Sequence, residues 1–336
     1  MATIKDIARE LGIDFSTVSL ALRDHPRVAV ATRQRVRDAA ERVGYVPNRA
    51  AQALRLGTSR TIAFVLWGSS DDQLRGTCPD YILGGTSAAF AARYQLLLLL
   101  ATEERLQETA IDRFPELRQT DGALFIGDPL DRPGLTALVR AGHPVVHLGD
   151  RSLADIVLPC VSADYAQGGE LAAAHLLANG HQRLAVLARP HPDAPEISGR
   201  RIAGFAAVAG AALLEQIDVD GQTPMEPVLD RLRRLGITAV FTTETGVALR
   251  LLTCCQAANV AIPGDLSIVT FDDLPVAAVT TPPLTCIRQP RELAGQLGVE
   301  LLRDMIEGRQ PAETRVMLPC ELVQRASVGP PRTDNR

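Results

Sequence analysis

The chain has 336 residues, of which 46% are hydrophobic, and a formal net charge of −4. That length exceeds one compact core of ordinary size, so about two domains are expected. Apolar runs such as Leu96 to Ala101 fall far short of the ~20 residues a bilayer needs. Lys5, Asp6, Arg9 and Glu10 stand where a signal peptide would be apolar, so a soluble cytoplasmic protein without membrane contact is expected. The charge is unevenly spread: residues 1–60 hold eleven Lys/Arg against six acids, a balance of +5, which leaves −9 for the remainder. A basic head on an acidic body predicts that the head meets a polyanion. Six cysteines, at 78, 160, 254, 255, 286 and 320, show no CxxC spacing and read as buried free thiols rather than a zinc site or a disulfide frame.

In chain order, Thr3 precedes Ile4, Ile7, Ala8 and Leu11 at helical spacing, and Asp6 follows three residues after it as in a capping box. A first helix therefore runs to about Leu11 and ends at Gly12. After a turn of about three residues Asp14 caps a second, the helix-turn-helix arrangement in which the second helix can enter a major groove. On a helical wheel Phe15, Ser16, Ser19, Leu20 and Arg23 share one half, with Thr17, Val18, Ala21 and Leu22 on the other. The second half is an ordinary buried stripe; the first mixes a ring, hydroxyls and an arginine. A third helix turns Val36, Ala39, Ala40 and Val43 inward and stops at Gly44. Its cap position, Ala29, has no side-chain acceptor. Then "NRAAQALRLG" gives under three turns of alanine-rich chain, too short to be a stable helix alone. It is expected to order only against a partner, a plain linker being the other reading.

The stretch "TIKDIARELGIDFSTVSLALRDHPRVAVATRQRVRDAAERVGYVPNRAAQALRLGTSRTIAFVL" resembles, without a gap, the N-terminal signature of the LacI/GalR family of bacterial transcriptional regulators. The likeness continues in "PVVHLGDR", "SADYAQGGELAAAHLLANGH", "GRRIAGF" and "DLSIVTFDDLPVAAVTTPPLTCIRQP". The resemblance implies a homodimer on a near-palindromic operator in double-stranded DNA. It implies Phe15, Ser16 and Leu20 as base-reading residues, and Thr3, Thr17, Ser19, Thr32, Tyr45 and Asn48 as backbone contacts, which set register. Leu54 corresponds to the hinge leucine that wedges between base steps in the minor groove, with Ala51 its small neighbour. Two departures matter. Leu20 stands where the family usually has Arg, removing a bidentate guanine contact, and Asp14 replaces the usual Ser, keeping the cap but adding a negative charge.

From Thr61 the pattern changes to short apolar runs between helical stretches: "TIAFVLW", "QLLLLLA", "GALFIG", "PVVHLG", "RLAVLA", "TAVFTT" and "LSIVTFDD". Such runs fit strands covered on both faces, and alternation with helices predicts parallel sheets. The expected fold is thus a small all-α helix-turn-helix domain (1–46), a hinge helix and linker (47–60), an α/β body of two doubly wound parallel-sheet lobes (61–328), and a tail (329–336). The resemblance makes this body periplasmic-binding-protein-like, with an effector between the lobes and crossings near 162, 289 and 320. Ligands of open α/β sheets lie beyond the carboxyl ends of the strands. Asp272 and Arg201 match the family's effector-binding aspartate and arginine; Asp150 and Trp67 are further candidates, Trp67 by stacking on a sugar face or by plain core packing. Glu244 and Thr245 stand where many members have Asn-Asp, and a carboxylate cannot donate as an amide does.

No GxGxxG, P-loop, GxSxG or HExxH is present, and no catalytic function, cofactor or metal is expected. The histidines read as surface or packing residues. Three functions remain: a regulator, most simply a repressor, whose operator affinity a sugar-like molecule modulates; a DNA-binding regulator whose cleft no longer binds ligand; and, more remotely, a solute-binding protein. A cationic or amino-sugar effector is a lesser alternative to a polyhydroxylated one.

Overall fold

The computed structural model describes residues 2–45, 58–67, 78–101, 117, 119–127, 140–150, 152–153, 156–189 and 195–332. The chain divides into two units, Met1–Ser59 and Arg60–Arg336. In the first, α1 (Ile4–Leu11), α2 (Phe15–Ala21) and α3 (Val30–Arg42) enclose Ile7, Val18, Ala21, Val28, Val36, Ala39 and Ala40. The Asp6 carboxylate accepts from the Thr3 N–H at 2.8 Å and the Thr3 hydroxyl at 2.7 Å, fixing the start of α1. Gly12, at φ 62°, ends it with its N–H on the Ala8 carbonyl, a left-handed position that glycine adopts without steric cost. Ala29 gives α3 no side-chain cap, and Val36, Ala39 and Ala40 are buried.

In the second unit, strands and helices run β1 (Thr61–Trp67), α4 (Cys78–Ala91), β2 (Gln95–Ala101), β3 (Gly122–Ile126), β4 (Val145–Leu148), the short pair β5 (Ser152–Leu153) and β6 (Ile156–Val157), then β7 (Cys160–Ala163) and α5 (Tyr165–Ala178). They continue through β8 (Leu184–Ala188), α6 (Pro195–Ala209), β9 (Leu213–Asp218), α7 (Met225–Arg234), β10 (Ala239–Thr242), α8 (Thr245–Ala257) and β11 (Ser267–Phe271). β12 (Thr285–Arg288), α9 (Arg291–Ile306), β13 (Arg315–Leu318) and β14 (Glu321–Val323) follow. One sheet has the order β13-β7-β4-β3-β1-β2 and the other β14-β12-β11-β10-β8-β9. Every pairing in the two is parallel except β12 with β14. Helices α4 and α9 pack on the first sheet, whereas α5, α6, α7 and α8 belong to the second. The chain therefore passes between lobes after residues 163, 288 and 318.

All seven apolar runs are strands, but not all are covered. "GALFI", "VVHL", "LAVLA", "AVFT" and "SIVTF" are buried throughout. By contrast β2 is an edge strand, with Leu98 51% and Leu100 48% exposed. Among the described residues, the short pair β5 and β6 and five strands of the two large sheets escaped the apolar pattern. β9 alternates half-buried and exposed along an edge, and β7, β12, β13 and β14 are only three or four residues long. All six cysteines are buried free thiols, as their spacing led one to expect. The expected tail from 329 is partly a piece of the second lobe. His181, fully buried, brings Nε2 to 2.9 Å from the Gly329 carbonyl, and Arg332 pairs with Asp265.

Helices α4 and α5 start with the same sequence, Asp-Tyr-x-x-Gly-Gly, at 80–85 and 164–169. The glycines allow close helix crossings. A Cβ on Gly169 would lie 2.0 Å from the Arg201 carbonyl oxygen, and one on Gly84 1.9 Å from that of Glu292. Thus α6 docks on α5, and α9 on α4, backbone against backbone, which sets where Arg201 and Arg291 start. Gly169→Ala should destabilise the chain by about 1–3 kcal/mol through overpacking. Gly199→Ala, also helical but with nothing within 4 Å, should be neutral or mildly stabilising; urea unfolding of both variants compares them.

Candidate functional site

In the head, Asp14 organises the start of α2. Its Oδ1 accepts from the Ser16 N–H at 2.7 Å and from the Ser16 hydroxyl, and these bonds hold its own pKa below the usual carboxylate value. Phe15 is 42% exposed and Ser16 is exposed, while Leu20 is half-buried against the head core. Ser19 departs from the wheel: it is only 6% exposed. Arg23 folds back over it, with Nη2 donating to the Ser19 hydroxyl at 2.6 Å and Nε to its carbonyl at 3.0 Å. The arginine stem covers what the wheel counted as outward. Thr3 is exposed; Thr17, Thr32 and Tyr45 are half-buried, Tyr45 packing on the core. Asn48, Ala51 and Leu54 lie outside the described residues.

In the body, Asp272 follows β11 at φ 75°, a left-handed conformation unusual for a residue with a side chain. It is held there by its N–H on the Ile287 carbonyl at 2.9 Å and by the Thr245 hydroxyl on its own carbonyl at 2.7 Å. Its carboxylate, 7% exposed as a residue, accepts at Oδ1 from Gln289 Nε2 and Arg291 Nη2. Arg201 Nη1 stands 3.7 Å from Oδ2 and donates to the Thr243 carbonyl at 2.6 Å. The Arg201 guanidinium lies 3.9 Å from the Phe271 ring centre and 5.1 Å from that of Tyr165. Its Nε is buried with no hydrogen-bond partner, as is Gln289 Oε1. Arg291 begins α9 in the first lobe, whereas Asp272 ends a strand of the second, so this ion pair crosses between lobes.

A second crossing lies at Asp150, just past β4. This residue is 6% exposed, and its carboxylate takes Arg200 from α6 of the second lobe and Arg315 from β13 of the first. Glu244, just ahead of α8, pairs with Arg189 Nη1 at 3.2 Å. Burial pushes its carboxyl pKa up, with Arg189 and Arg201 pulling the other way. The Trp67 side chain lies outside the described residues. Among the described residues no group of three or more His, Cys, Asp or Glu has the arrangement to hold a metal ion, and no helix is long and apolar enough to cross a membrane.

The structure thus gathers Arg201, Asp272 and Glu244 at one end of the second sheet, and places Asp150 at the other lobe's contact. Sequence reasoning missed Gln289, Arg291, Arg200, Arg189 and the tyrosines Tyr81 and Tyr165. Burial raises the pKa of both hydroxyls, which feel Asp272 and Arg291 from opposite lobes. The Asp-Tyr-x-x-Gly-Gly repeat was the signal that would have found the pair.

A helix-turn-helix head followed by two parallel-sheet lobes joined through three crossings defines a DNA-binding regulator with a periplasmic-binding-protein-like body. Comparison with known proteins agrees. Residues 3–48 match the family of bacterial regulatory proteins, lacI family, and 173–328 match a periplasmic binding protein-like domain. The chain is 29% identical to the HTH-type transcriptional regulator CelR of Thermobifida fusca, over 97% of this chain and 98% of that one. It is 26% identical to the transcriptional repressor PurR of Photobacterium profundum, over 98% and 99%. The solved complex of CelR with cellobiose superposes at a TM-score of 0.69 with 26% identity, covering 97% of this chain and all of that one. A lac repressor dimer bound to operator gives 0.79 at 23% identity, covering 98% and 99%, a likeness of fold. The chain thus resembles these regulators along its length, with a lacI-family match in its head and a periplasmic-binding-protein-like match in its body.

Removing one partner of a buried ion pair leaves the other charge uncompensated, at a cost of about 3–5 kcal/mol. Asp272→Asn, which strands two buried guanidiniums, should be destabilised on that scale. The double variant Asp272→Asn/Arg291→Gln should recover part of the loss, as denaturant unfolding across the mutant cycle would measure.

Proposed function

We propose that this chain is a cytoplasmic, homodimeric repressor whose operator affinity is set by a small, sugar-like molecule bound between the lobes. The observation that carries this is the pair of buried ion contacts joining the lobes, Asp272 with Arg291 and Asp150 with Arg200. Any ligand that enters must exchange contacts with these groups, and so gains differential affinity for one arrangement of the lobes over another. Differential affinity is what allows a ligand to shift a conformational equilibrium. The cellobiose complex of CelR and the name of a second relative, the ribose operon repressor of Escherichia coli, 26% identical, support a polyhydroxylated ligand. Asp272, Arg201 and Glu244 are its proposed anchors, with Asp150 at the rim and Trp67 a stacking candidate. Among the large apolar side chains exposed on the first lobe are Leu83 and Phe90 on α4 and Leu98 and Leu100 on β2. Leu83 and Phe90 are two turns apart and share a face, as do Leu98 and Leu100. They suit burial against a second copy.

On DNA, Phe15, Ser16 and the free part of Leu20 read bases. Thr3, Thr17, Thr32, Tyr45 and Asn48 contact the backbone, and the Ser19 hydroxyl serves by holding Arg23 toward the phosphates. Leu20 in place of an arginine favours apolar contact with thymine methyls. Leu54, beside Ala51, wedges the central minor groove when the two hinge segments lie at the right separation, and that separation is what the lobe angle controls.

A second reading, a regulator whose cleft takes no ligand, is favoured by the same ion pairs, which close the lobes on each other without help. Thermal-shift screening with neutral and charged sugars separates the two: a stabilising compound must also change operator affinity, because coupling between two sites is reciprocal. Replacing Leu54 with Ala should weaken operator binding by about tenfold or more while leaving binding to random DNA within about threefold. Equal losses on both DNAs in a gel-shift titration would remove the wedge.

A further inference from the structure

Among the described residues, the interlobe contact around Asp272 is short of negative charge. Arg201 is 6% exposed and Arg291 3%, and both depend on the single carboxylate of Asp272. Arg291 takes that carboxylate by hydrogen bond. Arg201 stands 3.7 Å from it, and its other described partners, the Thr243 carbonyl and two ring faces, are uncharged. Its buried Nε has no acceptor. Two other acids are near and neither closes the gap. Glu244 is bonded to Arg189, and its burial favours the neutral form. Asp80 lies 3.8 Å from Arg291, but its side chain is 58% exposed. Tyr81 and Tyr165, raised by burial, add no charge. A buried guanidinium without its own counter-charge is costly, and its planar donor edge matches a carboxylate or phosphate.

Arg291 and Gln289 also line a cavity of about 520 Å³ together with Asp80 and Leu293, a volume within the range of small-molecule sites. The cavity therefore reaches Arg291 and the unfilled acceptor Gln289 Oε1, while Arg201, whose Nε is the unfilled donor, stands at the other oxygen of the Asp272 carboxylate. Asp273 and Glu292 also line this cavity; Asp273 is already paired with Arg288 at 2.6 Å and Arg325 at 2.7 Å, and Glu292 is exposed.

We propose that the effector of this regulator carries an anionic group, a carboxylate or a phosphate, which Arg201 and Arg291 bind together, and that Arg291 sets this preference. The inference rests on the effector-responsive reading above and narrows it from sugars in general to sugar acids or sugar phosphates. Gln289 Oε1, the other unpartnered atom, then accepts from a hydroxyl of the same ligand.

The test uses the full chain on its selected operator. Glucuronate and galacturonate form one arm and glucose 6-phosphate and ribose 5-phosphate the other, with glucose, galactose and ribose as the uncharged parents. At least one anion should raise the melting temperature and change operator affinity at a concentration tenfold or more below its parent; which arm responds distinguishes carboxylate from phosphate. Arg291→Gln should cut that preference to threefold or less, and Arg291→Lys should keep most of it, which separates lost charge from misfolding. A neutral parent as effective as its anion, or a preference intact in Arg291→Gln, overturns the proposal alone. Operator binding that no compound of either kind alters overturns the effector-responsive reading and this inference with it.

Discussion

The carboxylate of Asp272, caught between guanidiniums from both lobes, is the interaction on which the body's arrangement depends. Burying two arginines is unfavourable unless each finds a counter-charge and acceptors. The chain meets that constraint by bringing β11 and the start of α9 together and fixing Asp272 in a left-handed backbone conformation with bonds on both sides. Beneath it the second lobe is firm: Phe271 supports Arg201, Phe241 packs edge-on against Phe271, and Phe205 stacks on Phe241 at 5.0 Å. The charged layer therefore rests on an aromatic one that leaves it little lateral freedom.

The head and the cleft solve opposite problems with similar chemistry. On α2 a carboxylate, Asp14, satisfies an exposed helix start, and a basic residue, Arg23, is tied to a neighbouring hydroxyl. Both bonds are local, so they preorganise a surface without closing it. In the cleft, carboxylates and arginines come from residues far apart in sequence and from different lobes, so their bonds set relative position. Such long-range pairs are the ones a ligand can exchange to produce movement.

How much was legible in the sequence follows from this difference. Thr3 with Asp6, Gly12 and Asp14 are short-range signals, and the helices begin and end where they stand. Strands buried on both faces announce themselves by unbroken apolar runs. The short strands from β12 to β14 did not, because three or four residues at a lobe crossing carry too little pattern. Ser19 was misplaced because a wheel assigns faces by angle and ignores a long side chain folding over its neighbour. Arg291 was invisible for a related reason: an arginine opening a helix reads as solvent-facing, and only the meeting of two lobes buries it.

The crossings at Gly169 and Gly84 have a wider consequence. Because neighbouring helices there touch main chain to main chain, the floor of the cleft is a fixed chassis, and Arg201 and Arg291 each leave it about one turn from a contact glycine, Gly204 or Gly295. On the effector-responsive reading proposed above, a descendant of this protein acquires a different inducer by exchanging a few side chains, such as those at 244, 289 and 291, while the gearing that carries the signal stays as it was.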